Sequence, residues 1–174
     1  IAGLKLNTLT KKLNHSSIIR VMPNMPAQIG SGMSVWTSSN TVTQDTINFS
    51  RNLLGALGEE IYVSEERYLD MATALSASGP AYVFLFIEAL VDAGVYIGLP
   101  RSTSRKLAIE TVLGSSKLVK ETGRHPAQLR DMVASPGGTT VEGLTALEEG
   151  GLRTNVINAV TAAFQKSIEL GSKE

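Results

Sequence analysis

The sequence contains no cysteine, so neither disulfides nor thiolate metal sites can form. The only histidines are His15 and His125, and neither has a second ligand at metal-binding spacing, so we predict no metal. Lysine plus arginine equals aspartate plus glutamate at 16 each, and this balance argues against a nucleic-acid partner or an anionic membrane surface. We therefore expect a soluble globular protein of the cytoplasm.

Two further features are missing from the sequence. The glycine fingerprint G-x-G-x-x-G of dinucleotide-binding turns does not occur, and Gly30-Ser31-Gly32 is too short to replace it. The longest apolar run, Tyr82 to Leu90, is broken by Glu88 and Asp92 and is too short to span a bilayer. The chain starts with Ile1-Ala2-Gly3-Leu4, without a basic segment or an initiator methionine, and we expect it to be part of something longer.

The first third alternates short apolar runs with one helical pattern. Apolar runs predict strands at residues 17–22, 32–36 and 59–63. Thr43 is a good N-cap for a helix between the last two strands, which Gly58 ends. This order predicts an α/β layer, and three short strands predict a thin sheet that is half of a domain.

From Ser64 onward the pattern is helical throughout, which predicts an all-helical region of five or six helices. Ser64 is predicted to cap the first of them, with Glu65 and Glu66 in the first turn, where their charge suits the helix dipole. The segment Ala81–Ile97 is apolar almost all the way round. Because a domain this small cannot easily enclose such a helix, we expect a second subunit to cover it.

The most distinctive stretch is Ser135-Pro136-Gly137-Gly138-Thr139-Thr140, called the glycine loop below. Its adjacent glycines allow backbone conformations closed to other residues, and hydroxyl side chains flank them on both sides. Thr139 and Glu142 match the capping box, which predicts that a helix starts here. The free N–H groups of such a helix would hold a small carboxylate or phosphate. The alternative is a glycine-rich turn that caps a helix and binds nothing.

Five motifs in matching order resemble one known family over essentially the whole chain. They are Leu129-Arg130-Asp131-Met132-Val133-Ala134-Ser135-Pro136-Gly137-Gly138-Thr139-Thr140, Ser78-Gly79-Pro80-Ala81-Tyr82, Gly98-Leu99-Pro100, His125-Pro126 and Val21-Met22-Pro23-Asn24. The first of them resembles the signature of pyrroline-5-carboxylate reductase. We therefore identify the chain by resemblance as the carboxy-terminal part of such an enzyme.

The resemblance implies the fold and the activity. It implies the second half of a Rossmann domain over residues 1–63 and a helical dimerisation and substrate-binding domain over residues 64–174. The fold would then be a partial α/β layer followed by an all-α domain, mostly α overall. The implied activity is reduction of 1-pyrroline-5-carboxylate to L-proline with hydride from NADP or NAD in its reduced form, the last step of proline biosynthesis. The implied assembly is a homodimer that joins into larger rings, and this chain alone would be inactive.

The resemblance also implies site residues. Thr140 matches the family threonine that reaches the ring nitrogen of the substrate. The implied substrate-binding residues are Ser135, Gly137, Gly138, Thr139, Thr140 and Glu66. The implied cofactor-binding residues are Ala2, Asn24, Pro80 and Met132, the last at a position where the family often has Asn, Asp or Gln. The dimer would bring the glycine loop of one subunit to the cofactor of its partner.

Two other functions fit the same sequence. One is a non-catalytic helical dimerisation module, in which the glycine loop is only a cap. The other is a related imine reductase that acts on another small carboxylate. Replacement of Thr140 separates the module from the enzyme, and a comparison of cyclic imines of different ring size separates the two reductases.

Overall fold

The computed structural model describes residues 2–172, so Ile1, where the first predicted domain begins, lies outside the described residues. Within them the chain forms α-helices and β-strands in an order that confirms the predicted α/β layer followed by helices. The elements are α1 (Leu6–Leu13), β1 (Ile19–Met22), β2 (Gly32–Ser38), α2 (Gln44–Gly55), β3 (Gly58–Tyr62), α3 (Arg67–Ala72), α4 (Gly79–Tyr96), α5 (Arg101–Thr122), α6 (Pro126–Val133), α7 (Thr139–Glu149) and α8 (Leu152–Ser172). A 3₁₀ turn, Met25–Ile29, follows β1, and a π turn, Thr73–Ala77, lies between α3 and α4.

The chain divides into two compact units. The first, called the sheet unit, comprises Ile1–Ala81 and Ile157–Glu174, and the second, called the helical unit, comprises Tyr82–Val156. These units group the residues that contact one another within a single chain. The domains at residues 1–63 and 64–174 are defined by resemblance to a family and stay a prediction.

The sheet has the strand order β1-β2-β3 within the described residues. Strand β1 runs antiparallel to β2, with Val21 opposite Trp36, whereas β2 runs parallel to β3. A parallel pair needs a crossover connection, which α2 provides. Thr43 caps α2 as predicted, because its hydroxyl accepts a hydrogen bond from the Thr46 N–H at 3.3 Å.

The core of the sheet unit lies where the strands meet α3. Leu69 and Trp36 are fully buried, and Met22, Val35 and Leu69 form one apolar cluster. The Trp36 indole N–H donates to Glu60 Oε2 at 2.5 Å, so its polar atom is satisfied although the ring is buried. Partly buried side chains surround this cluster, including Ala2.

Two helix starts in the sheet unit differ from the prediction. Helix α1 was not expected; it is short and amphipathic, and it ends at Asn14 in the left-handed conformation with φ 47°. Helix α3 begins at Arg67, so the predicted cap at Ser64 is wrong. Glu66 occupies the N-cap position, and no side chain within residues 2–172 caps this helix.

A proline explains the π turn between α3 and α4. Pro80 lies in the first turn of α4 and lacks the N–H that a continuous α-helix would use. The backbone widens before it, and the Ser78 N–H reaches back five residues to the Thr73 carbonyl at 2.9 Å. Helical residues therefore run from Arg67 to Tyr96 with a single bend at Ser78.

This helical stretch is longer than the apolar run Tyr82–Leu90 that lies within it. Its 30 residues, Arg67–Tyr96, are long and apolar enough to cross a membrane by length and composition, whereas the run Tyr82–Leu90 alone is too short. Most of the apolar window is exposed in the single chain. One helix of this kind does not by itself indicate a membrane protein, because a helix covered by a second subunit has the same composition.

The helical unit contains the rest of α4, α5 to α7 and the start of α8. Helix α6 begins at Pro126, and His125 caps it because its Nδ1 accepts a hydrogen bond from the Ala127 N–H at 3.2 Å. A run of large apolar side chains on α4 is exposed: Val83, Phe84, Leu85 and Phe86.

Candidate functional site

The glycine loop connects α6 to α7 through a tight turn. Gly137 has φ +67°, in the left-handed region that favours glycine. The Gly138 N–H closes the turn by donating to the Ser135 carbonyl at 2.9 Å. A methyl group on Gly138 would overlap the present position of the Ser135 hydroxyl, which would have to rotate away. The backbone conformation of the turn therefore requires glycine at Gly137.

The start of α7 leaves two backbone donors available. Its N-cap is Gly138 and not Thr139, so the predicted capping box is wrong, and no side chain in the described part of the chain caps this helix. The N–H groups of Val141 and Glu142 both donate to the Gly138 carbonyl. Within residues 2–172, the N–H groups of Thr139 and Thr140 donate to no protein acceptor. They lie at the positive end of the helix dipole, where an anion is stabilised.

The side chains around this helix start are accessible. Ser135 and Thr139 are exposed and Thr140 is half-buried, so the loop presents hydroxyl groups next to the free N–H groups. An open groove adjoins the loop and is lined by Arg130, Asp131, Val141, Leu144, Thr145, Glu148 and Glu149. The predicted cofactor residue Met132 is 68% exposed, and its Sδ lies 3.2 Å from Arg124 Nη1.

Asn24 has a defined place in the sheet unit. Its Oδ1 accepts a hydrogen bond from the Met33 N–H at 2.8 Å, which fixes the side chain against the start of β2. Its Nδ2 lies 3.5 Å from the Ser76 hydroxyl in the π turn, just before Pro80. The structure therefore brings Asn24 to the backbone segment that leads into Pro80.

Ala2 and Gly3 form a turn before α1. Ala2 packs against the apolar cluster of Met22, Val35 and Leu69. Gly3 has φ +79° and lies against the end of α8, where a methyl group on Gly3 would come within 2.9 Å of the Gly171 nitrogen. Only a residue without a side chain fits at this close approach.

One carboxylate oxygen of Glu66 accepts two hydrogen bonds. Its Oε1 accepts a hydrogen bond from the Leu6 N–H at 2.6 Å and another from Arg20 Nη1 at 2.8 Å. We expected this carboxylate in the first turn of its own helix, where it would interact with the helix dipole. This expectation is wrong, because the carboxylate contacts the start of α1 and strand β1. Its role at a substrate pocket stays a prediction.

Arg20 is a structural residue that the sequence analysis missed. Its side chain is 3% exposed, and Nη2 lies 3.6 Å from Asp70 Oδ1, an ion pair longer than a hydrogen bond. Asp70 Oδ1 also accepts a hydrogen bond from the Ser167 hydroxyl at 3.1 Å, which links α3 to α8. Within residues 2–172, Arg20 Nε and Nη2 have no hydrogen-bond partner. The available signal was a single charge inside the otherwise apolar strand at residues 17–22.

The candidate residues thus form two groups, each within its own unit. Ser135, Gly137, Gly138, Thr139 and Thr140 lie together in the glycine loop of the helical unit, close to Met132 in sequence. Ala2, Asn24, Glu66 and Pro80 belong to the sheet unit. Among the described residues, no group of three histidine, aspartate or glutamate side chains is placed to hold a metal ion.

Comparison with known proteins gives one consistent result. Residues 66–170 match the protein family described as pyrroline-5-carboxylate reductase dimerisation. The chain is 49% identical over 169 residues to pyrroline-5-carboxylate reductase of Glycine max, covering 97% of this chain and 61% of that protein. It is 46% identical over 173 residues to the enzyme of that name from Synechocystis, covering 99% of this chain and 64% of that protein.

The fold comparison agrees. The crystal structure of Plasmodium falciparum pyrroline carboxylate reductase with NADP bound matches with a TM-score of 0.92 at 38% identity, covering 98% of this chain and 68% of that one. The chain therefore spans 61% and 64% of the length of the two relatives by sequence and has the fold of the matching part. It belongs to the pyrroline-5-carboxylate reductase family.

Proposed function

We propose that this chain forms the substrate-binding and dimerising part of an enzyme that reduces 1-pyrroline-5-carboxylate to L-proline. The observation that carries the proposal is the glycine loop, which combines two free backbone N–H groups, a helix N-terminus and accessible hydroxyl groups. Family membership supplies the substrate class. In the reaction a hydride adds to the imine carbon and a proton adds to the ring nitrogen.

The loop suits the substrate carboxylate. The N–H groups of Thr139 and Thr140 are directed donors at the positive end of α7, and the Ser135 hydroxyl is exposed nearby. The missing side chains at Gly137 and Gly138 let a small ring approach this backbone closely. Binding the carboxylate here fixes the orientation of the ring. The orientational entropy is then lost on binding and does not add to the barrier of the reaction.

Thr140 serves the ring nitrogen. Its backbone N–H and its hydroxyl belong to the same residue, so a ring held by the N–H groups lies within reach of the hydroxyl. A threonine hydroxyl is a poor acid, so we assign to it orientation of the nitrogen and relay of a proton from water rather than general-acid catalysis.

The cofactor is NADP or NAD, and the described residues fit its nicotinamide end. Ala2 is half-buried in the turn beside the buried Gly3, and its short side chain leaves room for a flat ring. Asn24 is fixed beside the π turn that precedes Pro80. When bound, the nicotinamide supplies the hydride. The phosphates require a glycine turn that this sequence does not contain, so activity belongs to a protein that also carries that turn.

The helical unit forms a homodimer in this proposal. Val83, Phe84, Leu85 and Phe86 are each at least 40% exposed in the single chain. These four consecutive residues point to different sides of α4, so the helix exposes apolar side chains around most of its circumference. Exposed apolar area of this kind is typical of a covered interface, and the matched family is described by dimerisation. Assembly into larger rings and a location in the cytoplasm stay predictions.

The direct test is an assay of the full-length protein that carries this chain. We expect oxidation of NADPH or NADH that depends on 1-pyrroline-5-carboxylate and yields proline in equal amount. The six-membered analogue, piperideine carboxylate, separates this function from that of a related imine reductase. Faster turnover of the six-membered ring would identify the protein as a related imine reductase. Absence of turnover with either ring would favour a non-catalytic dimerisation module.

A further inference from the structure

The carboxylate of Glu66 holds the start of α1. Within the described residues, α1 has no fully buried side chain, and its N-cap residue Lys5 makes no side-chain cap hydrogen bond. The first N–H of this helix, that of Leu6, instead donates to Glu66 Oε1 at 2.6 Å. A carboxylate at this position satisfies a helix N–H and interacts favourably with the helix dipole.

Arg20 in turn holds Glu66. Its Nη1 donates to the same Oε1 at 2.8 Å, and its own side chain is buried in strand β1. The carboxylate is 27% exposed, so the buried guanidinium limits the orientations that it can take. Glu66 therefore joins three elements: strand β1, the start of α3 and the start of α1.

The turn before α1 is fixed from two further sides. Ala2 packs against the apolar cluster, and Gly3 contacts the backbone of Gly171 so closely that neither glycine has room for a methyl group. Only two residues, Leu4 and Lys5, separate Gly3 from Leu6, whose N–H donates to Glu66. A shift of α1 at Leu6 would therefore be transmitted to Ala2 and Gly3.

We propose that Glu66, oriented by Arg20, is a positioning residue for the Ala2–Gly3 turn on the cofactor side of the reaction, and not a ligand of the substrate. This inference rests on the proposed function, in which Ala2 lies beside the nicotinamide. Loss of the carboxylate lets the turn move, so it weakens dinucleotide binding and leaves the carboxylate site in the glycine loop intact.

The test compares Glu66→Ala and Glu66→Gln with Glu65→Gln in the full-length protein. Glu65 is the matched control, because its exposed carboxylate pairs only with exposed Arg67 in the described structure. NADPH and NADH are titrated by calorimetry, and KM is measured for 1-pyrroline-5-carboxylate. We expect Glu66→Ala to raise the dinucleotide Kd about tenfold or more with the substrate KM changed by less than about twofold.

Glu66→Gln provides the graded control. Its amide oxygen still accepts the Leu6 N–H, but it loses the charge that faces Arg20, so we expect a smaller rise in the dinucleotide Kd. Circular dichroism shows whether each variant folds. If Glu66→Ala does not fold, Glu66→Gln is compared with Glu65→Gln instead. A raised substrate KM with an unchanged dinucleotide Kd would overturn the inference and make Glu66 a substrate ligand. Unchanged values for both would also overturn it.

Hydrogen exchange separates this inference from the proposed function. We expect Glu66→Ala to accelerate amide exchange at residues 2–13 relative to Glu65→Gln, because α1 loses its acceptor. This readout requires no turnover. Faster exchange in a protein that does not reduce 1-pyrroline-5-carboxylate would reject the proposed function and keep the positioning role of Glu66. Unchanged exchange in an active reductase would reject that role alone.

Discussion

Gly94 and Ser104 lie in direct contact where α4 packs against α5. The Ser104 hydroxyl donates to the Val91 carbonyl at 2.7 Å, and a methyl group on Gly94 would overlap the same hydroxyl. Ser104 is 3% exposed, so the hydroxyl has little room to move away. Gly94 thus sets how closely the two helices approach, although glycine is unfavourable inside a helix.

Gly94→Ala should destabilise the protein despite the better helix propensity of alanine. The added methyl group forces apart α4 and α5 or breaks the Ser104 hydrogen bond, and overpacking of this kind costs about 1–3 kcal/mol. Chemical denaturation of the full-length protein measures the loss. The control is Gly114→Ala in α5, where a methyl group meets nothing within 4 Å. We expect this variant to be as stable as the parent or more stable, and equal stability of the two variants would contradict the packing argument.

Arg20→Met should destabilise the sheet unit much more than Arg51→Met. Removal of the buried guanidinium leaves the carboxylates of Glu66 and Asp70 without their cation, and breaking a buried pair in this way costs about 3 kcal/mol or more. Arg51 pairs with Glu60 but is half exposed, so its loss should cost less than about 1 kcal/mol. Urea unfolding of both variants checks the difference. Similar losses of unfolding free energy in the two variants would show that the burial of Arg20 does not increase its contribution to stability.

Phe84→Asp should weaken the dimer. Phe84 is 53% exposed in the single chain and lies within the exposed apolar run of α4. Loss of a buried phenylalanine removes about 2–3 kcal/mol of apolar burial per site, and the symmetric dimer loses it twice, so the dimer Kd should rise at least about a hundredfold. Sedimentation velocity measures this Kd. Phe84→Leu keeps an apolar side chain and should still dimerise; an unchanged Kd for Phe84→Asp would place the interface elsewhere.

Gly137→Ala should impair substrate binding with little effect on overall stability. Its φ of +67° disfavours alanine by about 1 kcal/mol, so the loop would relax and the KM for 1-pyrroline-5-carboxylate should rise about fivefold. Steady-state kinetics of the full-length protein measures this change. Gly143→Ala in α7 is the control, because a methyl group there meets nothing within 4 Å and its backbone is helical. A parental KM for Gly137→Ala would mean that the turn does not shape the substrate site.

Local sequence signals predicted most of the helical elements. Thr43 predicted the cap of α2, because this signal acts within one helical turn. The apolar pattern of Ala81–Ile97 predicted α4, which spans Gly79–Tyr96. The glycine loop was also predicted as the start of a helix, with an error of one residue at the cap.

Features that depend on contacts distant in sequence were not predicted. Glu66 contacts Leu6, 60 positions away, and Arg20, 46 positions away. Local sequence preferences instead predicted that its carboxylate interacts with the dipole of its own helix. Helix α1 was also missed, and its first N–H donates to that same distant carboxylate. A π turn and a bend at Ser78 connect α3 to α4, and no local sequence pattern predicted this connection.

The most direct test of the glycine loop as the substrate site is Thr140→Val in the full-length protein, compared with Thr145→Val on the same helix. The substitution removes the hydroxyl and keeps the shape of the side chain. We expect kcat/KM for 1-pyrroline-5-carboxylate to fall about a hundredfold, with an unchanged Kd for NADPH, whereas Thr145→Val behaves as the parent. A kcat/KM for Thr140→Val equal to that of the parent would contradict the assignment of this loop as the site of imine reduction.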